Sequence, residues 1–140
     1  MSIHQEAVIA ASPKEVYAVL VDADRLSMLS GMHGDPGLAE GDAFAAFDNH
    51  VIGRQIELGA DSFIVQAWRF PAWEQGVYSI VRFSVEPSGT VTRLIIDQHG
   101  EPTDWHDHID INWPTFYLDP LRRAFSTAGA DGLVSAGSGA

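Results

Sequence analysis

Trp113-Pro114-Thr115-Phe116-Tyr117-Leu118-Asp119-Pro120-Leu121-Arg122-Arg123-Ala124-Phe125 sets Trp113, Phe116, Tyr117, Leu121 and Phe125 three and four residues apart. That spacing predicts one broad aromatic face on a terminal helix. Pro120 lacks an amide hydrogen and crowds the preceding turn, so a kink is expected there. Arg122 and Arg123 fall near the helix's negative end, and with Arg54, Arg69, Arg82 and Arg93 they read as partners for surface carboxylates. An aromatic stripe of this width needs an opposing apolar surface.

The upstream segment supplies one. From Ala43 to His99 the apolar period is two, and turn-forming clusters divide it at Asp48-Asn49, Gly59-Ala60-Asp61, Pro71 to Gly76 and Pro87-Ser88-Gly89, which predicts an antiparallel meander. In Tyr78 to Glu86, Val81, Phe83 and Val85 alternate with Arg82, Ser84 and Glu86, as in a strand with one wet face. In Thr90 to His99, Leu94, Ile96 and Gln98 take one side and Arg93, Ile95, Asp97 and His99 the other. Gln98 is the polar exception on the inner face.

Further back, Ile3 to Ala11 reads as a strand that stops at Ser12-Pro13-Lys14-Glu15. Serine three residues before glutamate, with proline first in the helix, is a capping box. Val16, Val19 and Leu20 then share a face. A second short helix starts at Asp22 or Asp24 with Leu26 and Leu29 inward, and Gly31 to Gly37 ends it.

The chain has 140 residues, 46% of them hydrophobic, enough for one domain of about 14 Å radius of gyration. We expect a single domain over 1–125 and a flexible Gly/Ala/Ser-rich tail over 126–140. The net charge is -11 at pH 7, which disfavours nucleic acid and anionic membrane as partners. Without cysteine, thiolate catalysis, zinc ribbons and disulfide scaffolds are excluded. The opening residues lack a secretory pattern and no apolar run reaches about 18 residues. A cytoplasmic protein is expected.

Helix-grip domains of the START-like (SRPBCC) superfamily share this order of elements, and Ala11-Ser12-Pro13-Lys14-Glu15-Val16-Tyr17 is similar to their opening. More discriminating are Ile64-Val65-Gln66-Ala67-Trp68-Arg69-Phe70, Trp73-Glu74-Gln75-Gly76-Val77-Tyr78-Ser79-Ile80-Val81, Gln98-His99-Gly100-Glu101-Pro102, and Trp113 through Leu121. Together they resemble the activator of heat-shock-protein-90 ATPase homologue (AHSA-like) family, from about Ile3 to Phe125, with Asn112 where that pattern has glycine. The resemblance implies an α+β helix-grip fold: a curved antiparallel sheet wrapped around a long C-terminal helix, with two short helices after the first strand.

Trp68, Phe70, Trp73, Tyr78, Trp113, Phe116 and Tyr117 would each serve as core alone. As a set on strands and helix they outline an apolar cavity in which Gln98, Tyr78 or His50 orients a ligand. The expected partner is a small hydrophobic or amphipathic molecule, with no cofactor and no metal. A chaperone- or protein-binding module, or self-association, is the alternative. A third reading is a cyclase-like enzyme using His50, Asp97, Tyr78 or Tyr117 as acid or base, although no serine elbow, phosphate loop or paired-carboxylate motif is present. His99, Asp104, His106, Asp107, His108 and Asp110 match no closed metal motif and read as a solvated acidic connector.

Overall fold

β1 (Ser2–Ile9) buries Ile3, Ala7 and Ile9, half-buries Gln5 and exposes His4, Glu6 and Val8, the alternation of a strand with one core face. In this computed structural model, which describes residues 2–130, Ser12 then starts α1 (Pro13–Val21). Its hydroxyl accepts from the Glu15 amide at 3.2 Å while Glu15 accepts from the Ser12 amide at 3.1 Å, the reciprocal cap expected. Asp22 caps α2 (Ala23–Met28) by accepting from the amides of Asp24 and Arg25. The Ser27 hydroxyl donates to the Ala23 carbonyl and accepts from the Phe47 amide at 2.7 Å, tying α2 to the loop after β2.

β2 (Ala43–Ala46), β3 (Val51–Gly59), β4 (Phe63–Arg69), β5 (Ser79–Ser88) and β6 (Val91–His99) complete a six-stranded sheet of order β1-β6-β5-β4-β3-β2. Every neighbouring pair is antiparallel. Val81, Phe83, Val85, Leu94, Ile96 and Gln98 all point to the buried face, as the alternation requires. A bulge between Gln55 and Glu57 bends β3. Opposite Trp68, Gly53 has no room for a side chain: an added Cβ would stand 2.0 Å from the Ala67 carbonyl oxygen.

Two turn positions differ from expectation. β5 runs through Pro87 to Ser88, since β4 pairs with β5 only as far as Ser84 and a proline beyond that point removes no ladder bond on that side. The reversal falls instead at Gly89, with φ +64°, conformation that glycine adopts without a Cβ penalty.

The largest departure lies between sheet and terminal helix. The stretch read as a solvated connector is ordered: a 3-10 turn (Thr103–Trp105) leads into α3 (His106–Trp113), a wide π turn (Pro114–Leu118) and α4 (Asp119–Ala130). Trp105 docks on Phe70 with ring centroids 5.0 Å apart, and the buried Glu101 carboxylate meets His106 Nδ1 at 2.6 Å. These contacts anchor the start of α3. Just before Pro120 the helix widens into the π turn. A proline ring collides with the carbonyl four residues back, and widening the preceding turn, where the Asp119 amide reaches Pro114 oxygen, relieves that contact. The helix continues past Phe125 to Ala130, so the first part of the expected tail is helical. The rest of that tail lies outside the described residues.

Candidate functional site

Trp68 on β4 and Trp113 at the end of α3 stack face to face, 5.0 Å between centroids and 24° between planes. Each indole N–H is held by a buried glutamine. Trp68 Nε1 donates to Gln66 Oε1 at 2.7 Å, and Trp113 Nε1 donates to Gln98 Oε1 at 3.0 Å. Gln66 in turn donates to Gln55, which donates to the Val21 and Gly37 carbonyls. Gln98 donates to the Ser79 hydroxyl at 2.8 Å. Buried polar groups cost free energy unless paired, and these two chains pair theirs while fixing both indoles in place.

Beside the pair lies a cavity of about 310 Å³, near the lower end of small-molecule sites. Trp68, Phe70 and Val51 form its sheet side, and Ile109, Trp113, Phe116 and Tyr117 its helix side. Met32, Phe47, His50, His108 and Asn112 complete the lining. No Asp, Glu, Lys or Arg is among these residues. Tyr117 packs 4.5 Å from Trp113 and 5.2 Å, edge-on, from Phe47.

The loop between β2 and β3 is backbone-strained. Phe47, Asp48 and Asn49 have φ of +54°, +55° and +69°, a left-handed run that costs side-chain-bearing residues free energy. Hydrogen bonds hold it: the Asp48 amide donates to His33 oxygen, Asp48 Oδ1 accepts from the His33 amide, and His50 Nδ1 meets the Phe47 carbonyl. The result turns the Phe47 ring into the cavity wall and leaves Nε2 as the free His50 nitrogen.

Of the nine residues selected from the sequence, His50, Trp68, Phe70, Trp113, Phe116 and Tyr117 lie on the cavity and three do not. Trp73 is buried against Phe70 and Trp105 instead, because the β4–β5 loop folds back with Arg69 donating to the Trp73 and Glu74 carbonyls. Tyr78 precedes β5 and is half exposed, with the Arg69 guanidinium 5.7 Å over its ring. Gln98 is wholly buried but spent on Ser79 and Trp113, so it orients an indole and offers nothing to a ligand.

His108, Ile109 and Asn112 escaped the sequence reading because α3 did. The spacing of Trp105, Ile109 and Trp113, four apart, was the available signal. Met32, Phe47 and Val51 come from loops and a strand end, where periodicity carries no information. The other histidines and acids scatter. His106 pairs with Glu101, His108 sits edge-on to Trp105, Asp110 accepts from Gln5, and Asp97 pairs with His4 on the outer sheet face. Asp97 therefore faces away from the cavity, as strand alternation demands.

Burial pushes the Tyr117 hydroxyl well above the usual phenol range, so it stays protonated. Near the Trp105 corner, Arg69 Nε, Trp73 Nε1 and Glu101 Oε1 are buried with no hydrogen-bond partner among the described residues.

A curved antiparallel sheet gripping a long C-terminal helix, with two short helices after the first strand and a cavity between, defines a helix-grip domain of the START-like class. The chain belongs to the family described as Activator of Hsp90 ATPase homolog 1-like protein, which matches residues 10–126. It is 29% identical over 116 residues to an activator of 90 kDa heat shock protein ATPase homolog from Dictyostelium discoideum, covering 82% of this chain and 30% of the relative. Against the human homolog 1 it is 22% identical over 114 residues, covering 81% of this chain and 34% of that protein. The chain thus spans about a third of the length of these curated relatives. Among solved structures, an HSP90 activator from Plasmodium falciparum superposes with a TM-score of 0.83 at 21% identity, covering 90% of this chain and 96% of the other. The Aha1 dimer from Colwellia psychrerythraea gives 0.75 at 20% identity, over 89% and 96%. Both likenesses are of fold.

Proposed function

We propose that this domain holds a small apolar or amphipathic molecule between sheet and terminal helix. The observation that carries the reading is the aromatic-walled cavity of about 310 Å³ with no Asp, Glu, Lys or Arg in its lining. The two indoles have their N–H groups already engaged, so they present flat apolar faces at little ordering cost. Among the described residues no helix is long and apolar enough to cross a membrane, and we place the protein in the cytoplasm as part of this reading. The catalytic alternative has less support: Asp97 and Tyr78 face elsewhere, and His50 and Tyr117, which both line the cavity, share no hydrogen bond among the described residues.

A second reading, binding to a chaperone, is favoured by the printed names of the relatives and by the outer sheet face, where Ile80 and Tyr78 are exposed. One experiment separates the two. A naphthalene probe titrated into the protein should quench tryptophan fluorescence saturably, and Val51→Phe, which fills the cavity, should abolish the quenching while leaving the melting temperature within a few degrees. If the probe binds both proteins equally, or neither, the cavity reading fails. Binding to purified Hsp90 that survives Val51→Phe would put the second reading in its place.

A further inference from the structure

The cavity's polar side chains are His50, His108, Asn112 and Tyr117, and Tyr117 is the one set within the aromatic wall. Tyr117 is 4% exposed, and its ring is enclosed by Phe47, Trp68, Phe83 and Trp113. Its hydroxyl makes no hydrogen bond to any described side chain or backbone group, and burial alone accounts for its raised pKa. The hydroxyl of a buried tyrosine ring ordinarily finds a partner, and this one, not being among the sealed-off unpaired atoms, keeps accessible surface. Here the neighbouring donors cannot compete for that role, since both indole N–H groups are committed to Gln66 and Gln98. Of the phenol and indole donors of the aromatic wall, the Tyr117 O–H is therefore the one without an acceptor among the described residues.

We propose that the cavity takes an uncharged, planar molecule carrying a carbonyl-type oxygen, which accepts a hydrogen bond from the Tyr117 hydroxyl while its ring lies against the Trp68–Trp113 pair. This rests on the cavity reading above and narrows it. Planarity follows from the parallel indoles, whose faces favour offset stacking. Neutrality follows from the lining: with no Asp, Glu, Lys or Arg beside it, a carboxylate or ammonium would lose its hydration without a permanently charged partner. An acceptor follows from the hydroxyl, which remains a donor because its proton is retained.

The test compares two shape-matched probes, 2-acetylnaphthalene and 2-isopropenylnaphthalene, which differ by a carbonyl oxygen in place of a methylene, on the wild-type chain and on Tyr117→Phe. The variant removes the hydroxyl and keeps the ring. The ketone should lose about 3- to 10-fold in affinity on Tyr117→Phe, the size of one hydrogen bond, while the hydrocarbon keeps its affinity or gains. 2-Naphthoate should bind wild type more weakly than either. Equal effects of the substitution on both probes, or none on the ketone, would overturn the proposal and leave the cavity reading standing. Failure of both probes to bind the wild-type chain would overturn the two together. Urea unfolding of the unliganded proteins adds a control: Tyr117→Phe should be neutral or slightly stabilising, since no protein partner is lost, and a destabilisation of several kcal/mol would mean that the hydroxyl is structural.

Discussion

Gln98 carries the sharpest contrast between a residue's type and its use. A glutamine alternating with Leu94 and Ile96 on an apolar face invites a ligand-binding role, and from the sequence alone its replacement by leucine should spare the fold. The structure reverses this. Gln98 bridges the Ser79 hydroxyl and the Trp113 indole with no exposure, so Gln98→Leu strands a buried indole N–H and should cost about 1–3 kcal/mol, the penalty of an unsatisfied buried donor. Urea denaturation measures it. A midpoint unchanged from wild type would show that the indole is held by stacking alone. Trp68 and its Gln66 anchor obey the same rule, and the polar residues of the inner face are thus positioning residues for the aromatic walls.

At the scale of elements, the capped helix and the alternating strands were legible because each signal is local. The capping box needs only residues within one turn, and its geometry came out with both hydrogen bonds made. Ser12 is exposed, so Ser12→Ala should lower stability by about 1 kcal/mol through lost capping rather than lost packing. Thermal unfolding with unchanged probe affinity is the expected pair of results, and altered affinity would mean that α1 communicates with the cavity. Helix α3 was not legible for the opposite reason. His106 to Asn112 is polar enough to read as loop, and its start is anchored by Glu101 and by Trp105, which docks on Phe70 after β4, a partner remote in sequence. With α3 came three lining residues of the cavity that the sequence had not pointed to, His108, Ile109 and Asn112.

Across the whole molecule, the outer sheet face is left uncovered by the described residues and is organised by charge. His4 on β1 bridges Asp97 of β6 at 2.6 Å and Glu6 at 2.7 Å, while Arg93 pairs with Glu6 and Glu86. The Asp97 carboxylate first, then Glu6, holds the imidazole protonated above its ordinary value of 6.5. A raised folded-state value stabilises fully below the unfolded one, so this contribution is present below about pH 6.5 and fades as pH climbs through the raised value. Glu6, lowered by His4 and then Arg93 from 4.5, acts in the opposite sense, its contribution present above that value and lost on acidification. His4→Gln should therefore flatten the decline of stability on the alkaline side of about pH 6.5, an effect that weakens with added salt because the pair is exposed. Urea midpoints taken across that range for both proteins check it, and parallel curves would count against a folded-state link between β1 and β6.

Sequence alone settled the class of fold, the inward set of β5 and β6, both short helices and the aromatic face of the last helix, because periodicity and caps are properties of neighbouring residues. It also supplied most of the aromatic wall. Only tertiary structure decided which polar side chains are spent inside the protein and which are left unpaired beside the cavity. Gln98 and Gln66 are consumed by indoles; the Tyr117 hydroxyl is left without a partner. Whether a buried group is satisfied depends on what the chain brings beside it from far away, and that distance in sequence is why no local pattern could report it.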